Sequence, residues 1–193
     1  MTKGGVTVVD NEIPLDPKTE IAGTDLTILD FWQWGFSNIL TNSLRGIFAE
    51  FLVGSALGAL NLPRIEWDAF DLKFKDKKIE VKSAAYIQAW YRGTLSKISF
   101  NIGAKKEYDY NTNTYSGEAA RNADIFTFCL LKEKDQELIN PMDTSQWEFY
   151  VVTTGELNKL YPHQKTISLS SLRKICAPIL YQDLKYVMNG IVQ

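Results

Sequence analysis

At 193 residues the chain is long enough for one domain with a real core and too short for two independent ones. Apolar residues make up 45% of it, with 10 Phe, 9 Tyr and 5 Trp, which excludes a disordered chain. A formal charge of −2 and a pI near 5.5 exclude a uniformly cationic binder, but not an enzyme whose carboxylates face a cation while its basic groups line a groove.

Residues 1–25 mix Gly, Pro, Asp and Thr without periodicity and are read as an N-terminal arm, leaving residues 26–193 as a single domain. From Leu26 the sequence turns apolar and aromatic, and Leu44, Ile47, Phe48, Phe51 and Leu52 recur at helical spacing. One long helix follows, with a shorter one before it. The Trp and Tyr residues of FWQWGF and YIQAWY are assigned to packing.

Ala69 to Phe74 and Ile79 to Ala84 alternate apolar and polar around the charged turn KDKK, which predicts a β-hairpin. Ser96 to Ile102 reads as a further strand, and the polar stretch KKEYDYNTNTYSGEAARN as a long loop. Ile125 to Leu131 and Trp147 to Thr153 are apolar runs of strand length, assigned to the sheet centre. Glu156 to Leu160 and Tyr181 to Met188 close the fold as helices.

With the hairpin loop centred on Asp76 and Lys77, Asp71 pairs across from Lys82 and Lys73 across from Glu80. Asp71, Glu80 and Lys82 then share one face, while Leu72, Phe74, Ile79 and Val81 collect on the other to pack on a helix. Two carboxylates this close repel unless a cation lies between them, and oxygen ligands suit Mg²⁺, with Mn²⁺ as a substitute. Lys82 is placed to orient the attacking water and stabilise charge building on phosphorus. Glu50 interrupts the apolar helix between Gly46 and Gly54 and is a fourth candidate, as a metal ligand or as a brace for Lys82.

A helix bearing Glu50, then Asp71, then the triplet Glu80-Val81-Lys82 resembles the PD-(D/E)xK nuclease superfamily over roughly residues 40–155. That resemblance implies a restriction-endonuclease-like α/β fold, a central mixed β-sheet flanked by α-helices. The segments EWDAFDL, IEVKSAAYIQAW and RNADIFTFCLL are also similar to an uncharacterised bacterial branch of such proteins. Phe70 stands where the superfamily motif has Pro, and Asp68 competes with Asp71 as the metal ligand. Gln88 matches the place where some members carry a site glutamine, and Ser83 is its neighbour in the pattern.

Arg92, Lys97, Lys105, Lys106 and Arg121 are weaker candidates for phosphate contacts, and Tyr86, Trp90 and Tyr91 for stacking on bases. Each has a structural alternative. The lysines around Glu80 also suit a solvated, edge-protecting face, and Arg121 with Asp124 suits an ion pair at the mouth of a strand.

The single His163 excludes a nucleophilic triad, and no phosphate-binding glycine loop or zinc motif is present. Cys129 and Cys176 have no metal-ligand spacing and read as reduced core thiols. No stretch approaches a membrane span, so a cytoplasmic protein is expected. The reading is a metal-dependent DNA endonuclease of restriction or repair, working as a homodimer where both strands are cut. The rival reading is a non-catalytic nucleic-acid-binding or interaction module on the same fold.

Overall fold

The computed structural model describes residues 14–64, 70–106, 108–109, 114–115 and 117–192, so Asp68 and the first half of the arm lie outside the described residues. Residues 17–29 form a turn closed by a Glu20 to Thr27 bridge, with the Leu29 N–H donating to the Pro17 carbonyl. Helix α1, Ile28–Phe36, begins at a capping box in which Thr27 and Asp30 satisfy each other's backbone N–H groups. Helix α2, Asn42–Leu57, is capped by the Thr41 hydroxyl and ends on Gly58, whose left-handed φ of 71° favours glycine.

The central sheet holds β1 (Leu72–Phe74), β2 (Lys77–Ala85), β6 (Ile125–Leu131) and β7 (Trp147–Thr153), in the order β1-β2-β6-β7. The β1 and β2 pair is antiparallel, β2 and β6 are parallel, and β6 and β7 are antiparallel, so the sheet is mixed. Between β2 and β6 lie β3 (Ser99–Asn101) and a small ladder of β4 (Tyr108–Asp109) and β5 (Thr114–Tyr115). After β7 come α3 (Thr154–Leu160), β8 (Thr166–Ser168), α4 (Leu169–Leu172) and α5 (Leu184–Ile191).

Helices α2 and α5 cover one face of the sheet, burying Ala49, Leu52, Val53, Leu184 and Met188 against Ile79, Val81, Ile125 and Trp147. The other face carries the β3–β8 ladder, α3 and α4, which bury Phe100, Ile167, Leu157 and Leu172 against Phe126, Phe128 and Tyr150. This is the mixed α/β fold expected, a four-stranded mixed sheet between helices. No helix among the described residues is long and apolar enough to cross a membrane.

Several elements differ from expectation. The strand expected over Ser96 to Ile102 is cut to three residues, because it pairs with β8 in a separate ladder. Within the expected long loop, β4 and β5 pair with each other. Strand β7 lies at the edge of the sheet, shielded by a bridge from Phe149 to Ile179. Among the strands whose burial is described, only β6 is buried at every position.

The aromatic residues of α1 do not pack as expected. The helix buries none of its residues, belongs to neither core, and leaves Trp34 85% exposed. Trp90 is likewise exposed, while Tyr86 is half-buried with the Lys134 ammonium 4.7 Å from its ring centroid.

Candidate active site

The hairpin turns at Lys75 and Asp76, one residue earlier than the predicted centre, with Lys75 in the left-handed region at φ 53°. Leu72 therefore pairs with Ile79, which sets Asp71 level with Glu80 instead of Lys82. A slip of two residues preserves the faces, so Ile79 and Val81 still meet α2. The Asp71 N–H donates to the Ile79 carbonyl at 3.0 Å, and the Asp71 carboxylate accepts the Val81 N–H at 2.6 Å. The carboxylate is thus fixed at the edge of β2, in line with the backbone.

Burial raises the Asp71 carboxyl to about 6, the negative charges of Glu80 and Glu50 add to the rise, and the Val81 N–H and Lys82 oppose it. Glu80 is buried on the opposite side of β2 from α2 and accepts from the Lys82 ammonium, and from Lys105 at 3.1 Å. Burial alone would raise Glu80, but the two ammonium groups hold it below the usual carboxylate range. A small cleft beside this pair is lined by Glu80, Lys82, Asn101, Lys105, Arg121 and Asn122, among others.

Glu50 projects from the flank of α2 and meets Arg64 through two bonds, at 2.5 and 3.1 Å, rather than Lys82. The close approach to the sheet is made one turn further on, at Gly54. A Cβ there would collide with Leu60 and stand 3.2 Å from Leu72, whereas at Gly46 it would meet open space. Helix α2 is consequently rotated from the predicted stripe. Arg45, Ala49, Leu52, Val53 and Leu57 are buried, and Phe51 is turned outward onto Phe48.

That rotation buries Arg45, a residue the sequence reading passed over. Its Nε donates to Ser83 Oγ at 3.0 Å, one terminal nitrogen to Gln88 Oε1 at 2.6 Å and to the Leu40 carbonyl at 3.1 Å, and the other to Asn42 Oδ1 at 2.6 Å. Gln88 and Ser83 are thus tied to Arg45. The signal was present in the sequence, since Arg45 stands four residues before Ala49 and seven before Leu52, on the apolar stripe itself.

The remaining candidates are dispersed. Arg121 donates to the Ile102, Tyr161 and Gln164 carbonyls and to Asn158, joining the β3 region to the segment after α3. It does not pair with Asp124, which accepts the Lys78 N–H instead. Arg92 is exposed in the loop after β2, and Lys97 and Lys106 are exposed as well. Lys105 is the one phosphate candidate that touches Glu80.

The model of the bacteriophage T4 endonuclease IV family matches residues 7–171 of the 193. The chain belongs to that family. A nuclease function for this endonuclease IV family member is supported on that ground. No curated protein matches the chain.

Proposed function

We propose that the chain is a metal-dependent DNA endonuclease with a site of the PD-(D/E)xK type, built on Asp71, Glu80 and Lys82. The observation that carries the proposal is the register that sets the partly buried Asp71 carboxylate level with Glu80, which Lys82 contacts; burial first, and the charges of Glu80 and Glu50 second, raise the Asp71 carboxyl to about 6. A buried carboxylate set beside a second one is the condition a hard divalent cation relieves.

The donor set fits Mg²⁺ with Mn²⁺ as a substitute. Asp71 and Glu80 supply hard oxygens, and Mg²⁺ needs only one or two carboxylates because it retains several waters. Among the described residues no group of three or more His, Cys, Asp and Glu is arranged around one ion. Glu50, held by Arg64, therefore acts in this reading through its charge or through a water. When bound, the ion would polarise the phosphate and lower the pKa of the attacking water.

The protein's own groups do the rest. Glu80 stays ionised at neutral pH because Lys82 and Lys105 flank it. Lys82, fixed by Glu80 on a rigid strand, presents its ammonium to the charge that develops on the phosphoryl oxygens. Asp71 is ionised above about pH 6 and kept in place by the Val81 N–H. Cutting both strands of a duplex takes two such sites, so a homodimer accompanies this reading.

The test is calorimetric titration of Mg²⁺ and Mn²⁺ into the wild type and Glu80→Ala, followed by incubation with plasmid DNA. Metal binding and metal-dependent nicking in the wild type, both lost in Glu80→Ala, are the expected result. A folded wild type that neither binds metal nor nicks DNA overturns the proposal.

A further inference from the structure

A second cleft, of about 400 Å³, lies along β2 between α2 and the residues leading into β3, and shares Lys82 with the site. Its lining includes Asn42, Arg45, Ser83, Gln88 and Lys97, and no carboxylate among the described residues. Arg45 is 3% exposed, and among the described residues every partner it has is a neutral oxygen.

An isolated buried cation is costly, and such a charge is normally matched by a carboxylate. Here burial pushes the guanidinium down to about 10, the direction expected of a positive charge without a counter-charge. Ser83, Gln88, Leu40 and Asn42 occupy four of its five N–H groups and fix its plane. Lys97 adds an exposed ammonium at the rim, and Gly46 leaves the adjoining wall bare, with open space where a Cβ would stand.

We infer that this cleft is an anion subsite in which Arg45 and Lys97 receive a phosphate of the nucleic-acid strand next to the one cut at Glu80 and Lys82. The inference rests on the nuclease reading for its ligand and on Arg45 and the cleft for its place. Lys82, which lines both clefts, sets the two phosphates side by side along β2. Gln88 and Ser83 are positioning residues in this arrangement, because they hold the guanidinium that meets the phosphate.

The experiment measures binding of a fluorescent single-stranded oligonucleotide without divalent metal, across a salt series, and separately the metal-dependent nicking of plasmid DNA. Wild type, Lys97→Ala and Arg45→Lys are compared, each checked by thermal melting. Lys97→Ala lies on the surface and is expected to melt like the wild type, to bind about 5-fold more weakly, and to flatten the slope of log affinity against log salt by about 0.7. Arg45→Lys keeps the charge but loses the planar fork, and is expected to weaken binding at least as much.

If the wild type binds and nicks while both variants bind with unchanged affinity and slope, the subsite is overturned and the nuclease reading stands. If binding depends on Lys97 but no metal supports nicking, the subsite stands and the nuclease reading falls. A wild type that binds no oligonucleotide at low salt overturns the subsite whatever the nicking assay gives.

Discussion

The Asp71 carboxylate takes the Val81 N–H at 2.6 Å, so at the end of β1 a side chain stands where a backbone carbonyl would otherwise complete the ladder. A charged group placed there cannot leave without orphaning a backbone donor, and it cannot relax away from Glu80.

The cost of that placement is readable in pH. The carboxyl is raised from 3.8 to about 6, so the folded chain binds this proton more tightly than the unfolded chain does. Its contribution to stability is full below about pH 3.8 and is lost as pH rises through 6. Asp71→Asn is expected to be more stable than the wild type by about 2 kcal/mol at pH 8, with the advantage fading between pH 6 and 4. Melting curves across pH check this, and a pH-independent difference would contradict it. In the proposed mechanism, added Mg²⁺ stabilises the wild type and not the variant.

Lys82 and Lys105 both touch Glu80, but their settings differ. Lys82 is largely covered and shared by both clefts, whereas the Lys105 side chain is 62% exposed. Lys82→Ala is expected to lower the nicking rate by roughly 10²–10⁴-fold with unchanged far-UV circular dichroism. Lys105→Ala is expected to cost only a few-fold. Equal losses in the two variants would assign the lysines a shared role in steadying Glu80 instead.

Thr127 is fully buried opposite Val81, and its hydroxyl has no hydrogen-bond partner among the described residues. Replacing an unsatisfied hydroxyl by a methyl of the same shape removes a desolvation cost. Thr127→Val is expected to stabilise the protein by about 1 kcal/mol, raising the melting temperature by roughly 2–4 °C. Destabilisation would reveal a partner for the hydroxyl, such as a buried water.

The two glycines of α2 should respond in opposite ways. Gly54→Ala pushes a methyl onto Leu60, a 41% exposed side chain that can move, and to 3.2 Å from Leu72, and is expected to cost about 1 kcal/mol, measured by denaturant unfolding. Gly46→Ala meets no neighbour and should gain about 0.5–1 kcal/mol from helix propensity. Similar effects at both positions would contradict the close approach at Gly54.

What the sequence disclosed followed the strength of its periodicity. Ile125 to Leu131 announces a strand buried on both faces, and the alternation from Leu72 to Val81 separates core from polar face whichever turn is chosen. Turn position was less legible, because KDKK offers Lys75-Asp76 and Asp76-Lys77 as nearly equal centres and the observed one puts a lysine, Lys75, in the left-handed region that glycine or asparagine would have signalled. The rotation of α2 was hidden for a different reason. Large residues such as Phe51 dominate a hydrophobic pattern, whereas close packing against the sheet is governed by Ala49 and Gly54. Thr166 to Leu172 escaped notice because a three-residue strand and a four-residue helix give too few repeats to register a period.

Strand β6 gives side chains to both cores, with Ile125 and Cys129 to one and Phe126, Phe128 and Leu130 to the other. Neither layer can peel away without stripping the strand that supports its counterpart, so the sheet opens as one cooperative unit. The amide hydrogens of β2 and β6 are therefore expected to exchange with solvent last and together. Glu80, paired in register with Phe126, is then expected to sit on the slowest-opening part of the sheet.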